Sequence, residues 1–293
     1  MINSFKDSKS TLSLAGLATL SIAAVTSIKL LFENSPLGPT AAGLASLAAV
    51  GLLIFTESLF NITNKRWVWL AVTLTVTGYI VFEWPGPANH TYVFVYISLA
   101  FALASGSDSS EQEMILENNA RNIFLVVMLF AVLQKAITPG YLDGTINAFW
   151  MSVGGYGQLL DSVSDRWHSA VVHNDIMMDK YYNETTMRVD AISLVKPIDN
   201  LRFWGVLLAF FVLSVELVVA LIFVFSKSNL LKHTAVILFV ISVFVFRQET
   251  GFLSLLCVIG LCGTQPKDVM FRGGYISLVA FFLAMMIIDV GYI

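Results

Sequence analysis

Long apolar runs separated by short polar stretches repeat along almost the whole chain. They fall at Leu12–Phe32, Pro39–Phe60, Trp67–Trp84, Thr91–Ser105, Ala120–Thr138, Leu201–Ser226, Leu230–Phe246, Thr250–Thr264 and Gly274–Ile293. A helix crossing a bilayer needs about 20 apolar residues. The pattern therefore predicts an all-α polytopic transmembrane bundle of about nine spans. Thr91–Ser105 and Thr250–Thr264 are the shortest runs, expected to be tilted, re-entrant or continued into polar flanks. Thr11–Phe32 follows a polar start, as a signal peptide would. It is long enough to span and lacks a clean small-residue cleavage site, so it reads as a retained first helix.

One sizeable stretch breaks the alternation, between Pro139 and Asn200. It divides the chain into N-terminal membrane helices (1–138), an outer-face segment (139–200) and C-terminal membrane helices (201–293). Within it, Ala148–Asp179 has apolar periodicity for one or two amphipathic helices lying on the membrane surface. Gly106–Glu117 reads as a solvated acidic loop.

Loop charge orients the set. With the N-terminus inside, the inner segments hold Lys6, Lys9, Lys65, Arg66, Arg121, Lys227, Lys232, Lys267 and Arg272. The outer loops Glu33–Gly38 and Pro85–His90 contain no Lys or Arg, and only Arg247 departs from the pattern. This follows the positive-inside rule and places the C-terminus outside.

Composition agrees: 57% of the 293 residues are hydrophobic and 13% charged, with mean hydropathy +0.76. Soluble domains carry roughly 25% charged residues, so lipid is the expected solvent and a plasma or inner membrane the expected location. A net charge of −3 gives no basic footprint for nucleic acid. Phosphate-loop, dinucleotide and zinc spacings are missing. Cys257 and Cys262 stand five apart in one apolar run, on different faces of a helix, which disfavours a disulfide between them.

Candidate chemistry lies where charge interrupts apolar runs, at Lys135, Glu216, His233, Arg247 and Glu249. A charge inside a bilayer costs at least ~2.5 kcal/mol on insertion scales, so it has a partner or a function. Lys135, Arg247 and Glu249 fall near the outer ends of their helices. Lys29, Glu33, Glu83 and Asp289 also fall toward that face. Glu216 is expected deeper, roughly 22 Å below Leu201 at the helical rise. His233 is expected at the inner face beside Lys232. Two readings of the outer tier stay open. Either a desolvated Lys135 acts as a base tuned by Arg247 and Glu249, or Lys135 snorkels and Arg247 pairs with Glu249 across a hairpin. His168, His173, Asp175 and Asp179 are poorly spaced for a metal and read as a solvated helix face, so no metal is expected. The sequons at Asn89 and Asn183 matter only in a glycosylating host.

The segment Ala120-Arg121-Asn122-Ile123-Phe124, running to Leu133-Gln134-Lys135 and Pro139-Gly140-Tyr141-Leu142-Asp143-Gly144, resembles a helix and loop of the HTTM superfamily. That group includes the vitamin K-dependent gamma-carboxylases and is distantly similar to DoxX-like and MauE-like membrane proteins. Val215-Glu216-Leu217-Val218, Lys232-His233 and the stretch Phe246–Leu256 resemble its later helices. The resemblance covers roughly half the chain and rests on the order of its motifs. It implies that Lys135 matches the lysine region serving base chemistry on the outer side. The carboxylases carry a double lysine where this chain has Gln134-Lys135.

These observations predict a membrane protein whose outer-facing polar pocket takes a lipid-soluble molecule, a quinone or a lipid, with quinone-linked redox chemistry as one form. Lys135, Arg247 and Glu249 would be catalytic, with Glu216 and His233 holding the bound molecule. The rival expectation is a non-catalytic accessory subunit with membrane protein partners; a transporter is the third.

Overall fold

In a computed structural model, described over residues 11–32, 38–82, 91–156, 164–183, 194–247 and 249–288, the chain forms eleven α-helices and no strand. They are α1 (Thr11–Phe32), α2 (Gly38–Phe60), α3 (Arg66–Phe82), α4 (Thr91–Ala104), α5 (Ser109–Ile137) and α6 (Thr145–Ser152). They continue with α7 (Asp165–Asn183), α8 (Leu201–Phe225), α9 (Asn229–Arg247), α10 (Thr250–Cys262) and α11 (Val269–Ile288). A 3-10 turn, Ile62–Asn64, joins α2 to α3.

Six of these helices (α1, α2, α5, α8, α9 and α11) are long and apolar enough to cross a membrane. The chain therefore has the make-up of a multi-pass membrane protein. Helices form at all nine apolar runs, but α3, α4 and α10 are shorter than a full crossing.

The two weakest sequence candidates, α4 and α10, are the most enclosed. Every residue of α10 from Leu253 to Cys262 is buried, and eight residues of α4 are. A helix apolar on all sides is stable when other helices surround it. Their composition thus reflects protein neighbours as much as lipid. By contrast, α2 carries Leu44, Leu47, Leu52, Phe55 and Leu59 on its open surface.

The solvated loop expected at Gly106–Glu117 is helical from Ser109 onward, as the first turns of α5. Glu111 sits in the first turn, where a carboxylate complements the exposed N–H groups and the helix dipole. The amphipathic stretch contains two helices, α6 and α7, with residues 157–163 between them outside the described set. Lys6, Lys9, Glu33, Glu83, Asn89, His90, Glu184, Thr185 and Asp289 also lie outside it.

Packing groups residues into two units that do not follow chain order. The first is Met1–Val127, Leu221–Val240 and Glu249–Ile293; the second is Met128–Ala220 and Ile241–Gln248. In the first, α1 packs on α2 and α10, α3 on α4, and α10 on α11. Gly260 makes room for Tyr275, since a Cβ there would lie 2.5 Å from the ring. In the second, Met151, Tyr156, Trp167, Val171 and Leu201 form a small core. Asn174, fully buried on α7, fastens it: Nδ2 donates to the carbonyls of Ser152 and Val195, both at 2.8 Å, and Oδ1 accepts from Val195 N at 2.7 Å. One carboxamide thereby satisfies backbone groups of two segments that no ladder or helix pairs.

Candidate functional site

The second unit gathers most of its buried polar chemistry around the end of α5. Lys135, two residues before that end, donates from Nζ to Oε1 of Glu216 on α8. The Glu216 side chain is 9% exposed and that of Lys135 is 27%. The sequence places these residues in two tiers; the structure joins them. The long lysine stem carries its ammonium to the carboxylate, so Glu216 gains a counter-charge where it cannot reach water.

Beyond α5 the chain turns through Pro139–Gly144. Tyr141, in this turn, and Tyr156, just after α6, are both buried. Asn147 on α6 links them. It accepts from the Tyr156 hydroxyl, hydrogen-bonds Tyr141, and donates from Nδ2 to the Gly205 carbonyl at 3.1 Å. Burial first, then the Tyr156 hydroxyl and the Glu216 carboxylate, hold Tyr141 protonated far above the ordinary phenol range; Arg247 and the Asn147 hydrogen bond oppose this. Burial pushes Tyr156 up to about 12, against the opposing charge of Arg247. Arg247, at the end of α9, lies over the Trp150 ring at 5.8 Å, a cation–π distance. Asp143 closes the turn: Oδ1 accepts from Thr145 N at 2.9 Å and Oδ2 from Arg202 at 2.7 Å. Its carboxyl is held below the usual range, chiefly by the Thr145 backbone bond.

The turn depends on close backbone approach. Gly144 has φ +81°, and a Cβ there would meet the Arg202 carbonyl at 2.4 Å. A Cβ on Gly205 would meet the Gly144 carbonyl at 2.3 Å. The start of α6 and the first turns of α8 touch main chain to main chain, which seats Asn147 and hence both phenols.

A single constellation thus contains an ammonium, a carboxylate, two neutral phenols and a guanidinium. It can offer hydrogen bonds to a ligand oxygen. The phenols give a direct check. An absorbance titration at 295 nm should show Tyr156 ionising only near pH 12, about 2 units above a free phenol. A folded-state pKa above the unfolded one stabilises the fold below pH 10, and that contribution is lost as pH rises toward 12. Tyr156→Phe should remove one such high-pH step; a step ending near pH 10 would contradict the buried geometry.

Of the five candidates from the sequence, Lys135, Glu216 and Arg247 belong to this unit, whereas Glu249 and His233 belong to the other. Glu249 stands at the N-cap of α10, where its carbonyl accepts from Leu253 N at 3.0 Å. His233 is fully buried, with Nδ1 3.1 Å from the Tyr275 hydroxyl and its ring among Phe223, Phe271 and Tyr275. Lys29 is buried as well.

Tyr141, Asn147 and Tyr156 were not among the sequence candidates, because they are uncharged and lie in the outer-face segment between the apolar runs. Glu57 was not among them either, although it interrupts the apolar run of α2. Its carboxylate, 5% exposed, accepts from Ser13 Oγ at 2.8 Å, Thr63 N at 2.9 Å and Thr63 Oγ1 at 2.6 Å. A charged residue at the end of a run was the signal available. Among the described residues no group of three or more His, Cys, Asp or Glu could hold a metal ion. No protein-family model, curated protein or solved structure matches the chain, so the reading of the site rests on its own geometry.

Proposed function

We propose that the Lys135–Glu216 constellation receives the oxygen-bearing head of a lipid-soluble molecule, such as a quinone or a lipid. In this reading the chain crosses the membrane nine times, with its positively charged loops inside and the end of α5 toward the outer face. Lys135 donates a hydrogen bond to the ligand oxygen, and Glu216 holds the ammonium in place as its counter-charge. Tyr141 stays neutral beside the pair, and Tyr156 braces Asn147 with its own hydroxyl. Arg247, fixed over Trp150, supplies a second positive charge.

The observation that carries this reading is the ion pair itself. An intramembrane ionisable pair is costly to desolvate and marks functional pathways more often than it adds stability. The motif order resembling the HTTM superfamily lends support at the same lysine. Lys135→Gln keeps length and polarity but removes the charge. Purified in nanodiscs from native membranes, the wild-type chain should carry one small lipid-soluble molecule near equal stoichiometry by mass spectrometry, and Lys135→Gln should carry less than about a tenth of it. A fixed set of partner proteins with no such molecule would replace this reading with that of an accessory subunit.

A further inference from the structure

The first unit holds an open cleft of about 540 Å³ lined by eight polar residues. One carboxylate (Glu57), three carboxamides (Asn61, Asn64 and Gln112) and four serines face it. Its volume is that of a small-molecule site, but such sites are mostly apolar. Its polar residues suit a ligand that carries a polar or charged group. Among the described lining residues there is no Lys or Arg, so the cleft carries a single formal negative charge.

The carboxylate is held in place before any ligand arrives. Ser13 from α1 and the 3-10 turn orient it through three hydrogen bonds. The turn is itself fixed, since Trp69 Nε1 donates to the Thr63 carbonyl at 2.7 Å. Gln112 is pinned across the cleft by bonds from Nε2 to Asn64 Oδ1 and to the Ala104 carbonyl, at 3.2 and 3.3 Å. The three bonds on Glu57 leave part of its acceptor capacity, roughly four lone-pair sites in all. Asn61 and Asn64 are exposed at the rim. One carboxylate among amide and hydroxyl oxygens is too little charge for a divalent ion, which draws on several carboxylates or retained waters. It matches a monovalent cation that donates several hydrogen bonds.

We propose that this cleft binds a primary ammonium group on a small polar molecule, with Glu57 as its counter-ion and the Asn61 and Asn64 carboxamides as acceptors at the rim. The ammonium could belong to a free amine or to an aminolipid headgroup, because the cleft lies at the ends of α2 and α4, both apolar helices.

The test uses ethanolamine as the probe and ethylene glycol as its uncharged counterpart, on the full chain in phosphatidylcholine nanodiscs, read by saturation-transfer NMR. Ethanolamine should give a saturable signal that ethylene glycol does not match. Glu57→Gln should weaken it about tenfold or more, because a hydrogen bond to a charged group is lost. If Glu57→Gln does not fold, Asn61→Gly decides. It removes a rim carboxamide and keeps the left-handed backbone (φ 47°) that glycine adopts freely. It should weaken ethanolamine several-fold with an unchanged melting temperature. In a second arm, phosphatidylethanolamine nanodiscs should raise the melting temperature of the wild type above that of Asn61→Gly if the headgroup is the source; a free-amine site shows the NMR signal without this shift. Equal signals from the two probes, or an ethanolamine signal untouched by folded Glu57→Gln or Asn61→Gly, would overturn the proposal.

Discussion

Replacing Lys135 by Met should cost about 3 kcal/mol, and replacing Glu216 as well should recover most of it. The single change leaves a carboxylate that is 9% exposed without the ammonium that Lys135 gives it. Breaking one side of a buried pair typically costs 3–5 kcal/mol, while replacing both sides by apolar groups is often neutral. Glu216→Leu alone should cost less, about 1.5 kcal/mol, since the Lys135 side chain is 27% exposed and can swing toward water. The double variant should come within about 1 kcal/mol of wild type, a coupling of at least ~2 kcal/mol. Unfolding in mixed detergent, monitored by fluorescence, measures all four corners of the cycle. Strictly additive single effects would mean that the pair is not formed in the membrane. A stable double variant that has lost the bound small molecule would separate the functional role of the pair from any structural one.

Gly205→Ala should be among the most damaging substitutions of a single methyl anywhere in the chain, at about 3 kcal/mol. The added carbon would sit 2.3 Å from the Gly144 carbonyl and 3.1 Å from Ala148 N, both backbone atoms that no rotamer change can move aside. Overpacking of this kind typically costs 1–3 kcal/mol, and more where main chain must shift. Gly144→Ala meets a similar clash and also a left-handed backbone, which adds about 1–2 kcal/mol. Gly78 on α3 is the control. Nothing lies within 4 Å of its would-be Cβ, so Ala there should be neutral or gain up to about 1 kcal/mol in helix propensity. The damage should reach the site, because Asn147 donates to the Gly205 carbonyl. Melting temperature and the high-pH tyrosine titration, read on the same samples, should move together in Gly205→Ala. A loss of stability with both phenols still titrating as in wild type would show that the glycine contact does not seat them.

The reach of the sequence reading differs from residue to residue. At Lys135, Glu216 and Arg247 it picked out the charges that interrupt apolar runs, because such a charge is visible without a fold. It gave them the wrong company. Counting residues along a helix places Lys135 and Glu216 at different depths, and only the tertiary structure shows that the two side chains meet. At His233 the neighbouring Lys232 suggested an interface, and nothing local announces that Tyr275, 42 residues on, would enclose the ring. At Ser109–Glu117, polarity was taken for a loop, whereas the residues continue a helix whose apolar part begins later.

By itself, the sequence determined what depends on solvent and period: helices, nine apolar ones near the positions expected, and lipid as the surroundings that such a composition requires. Those properties are sums over neighbouring residues, so a chain read in order contains them. Tertiary structure decided which apolar runs are enclosed by protein, as α4 and α10 are, and which charges meet. It alone revealed the Glu57 cleft and the Tyr141–Asn147–Tyr156 chain. The cleft joins residues from Ser13 to Gln112, and the Tyr141–Asn147–Tyr156 chain is held against Gly205, so both depend on helices packing at particular glycines and ends. Neither hydropathy nor spacing encodes that packing.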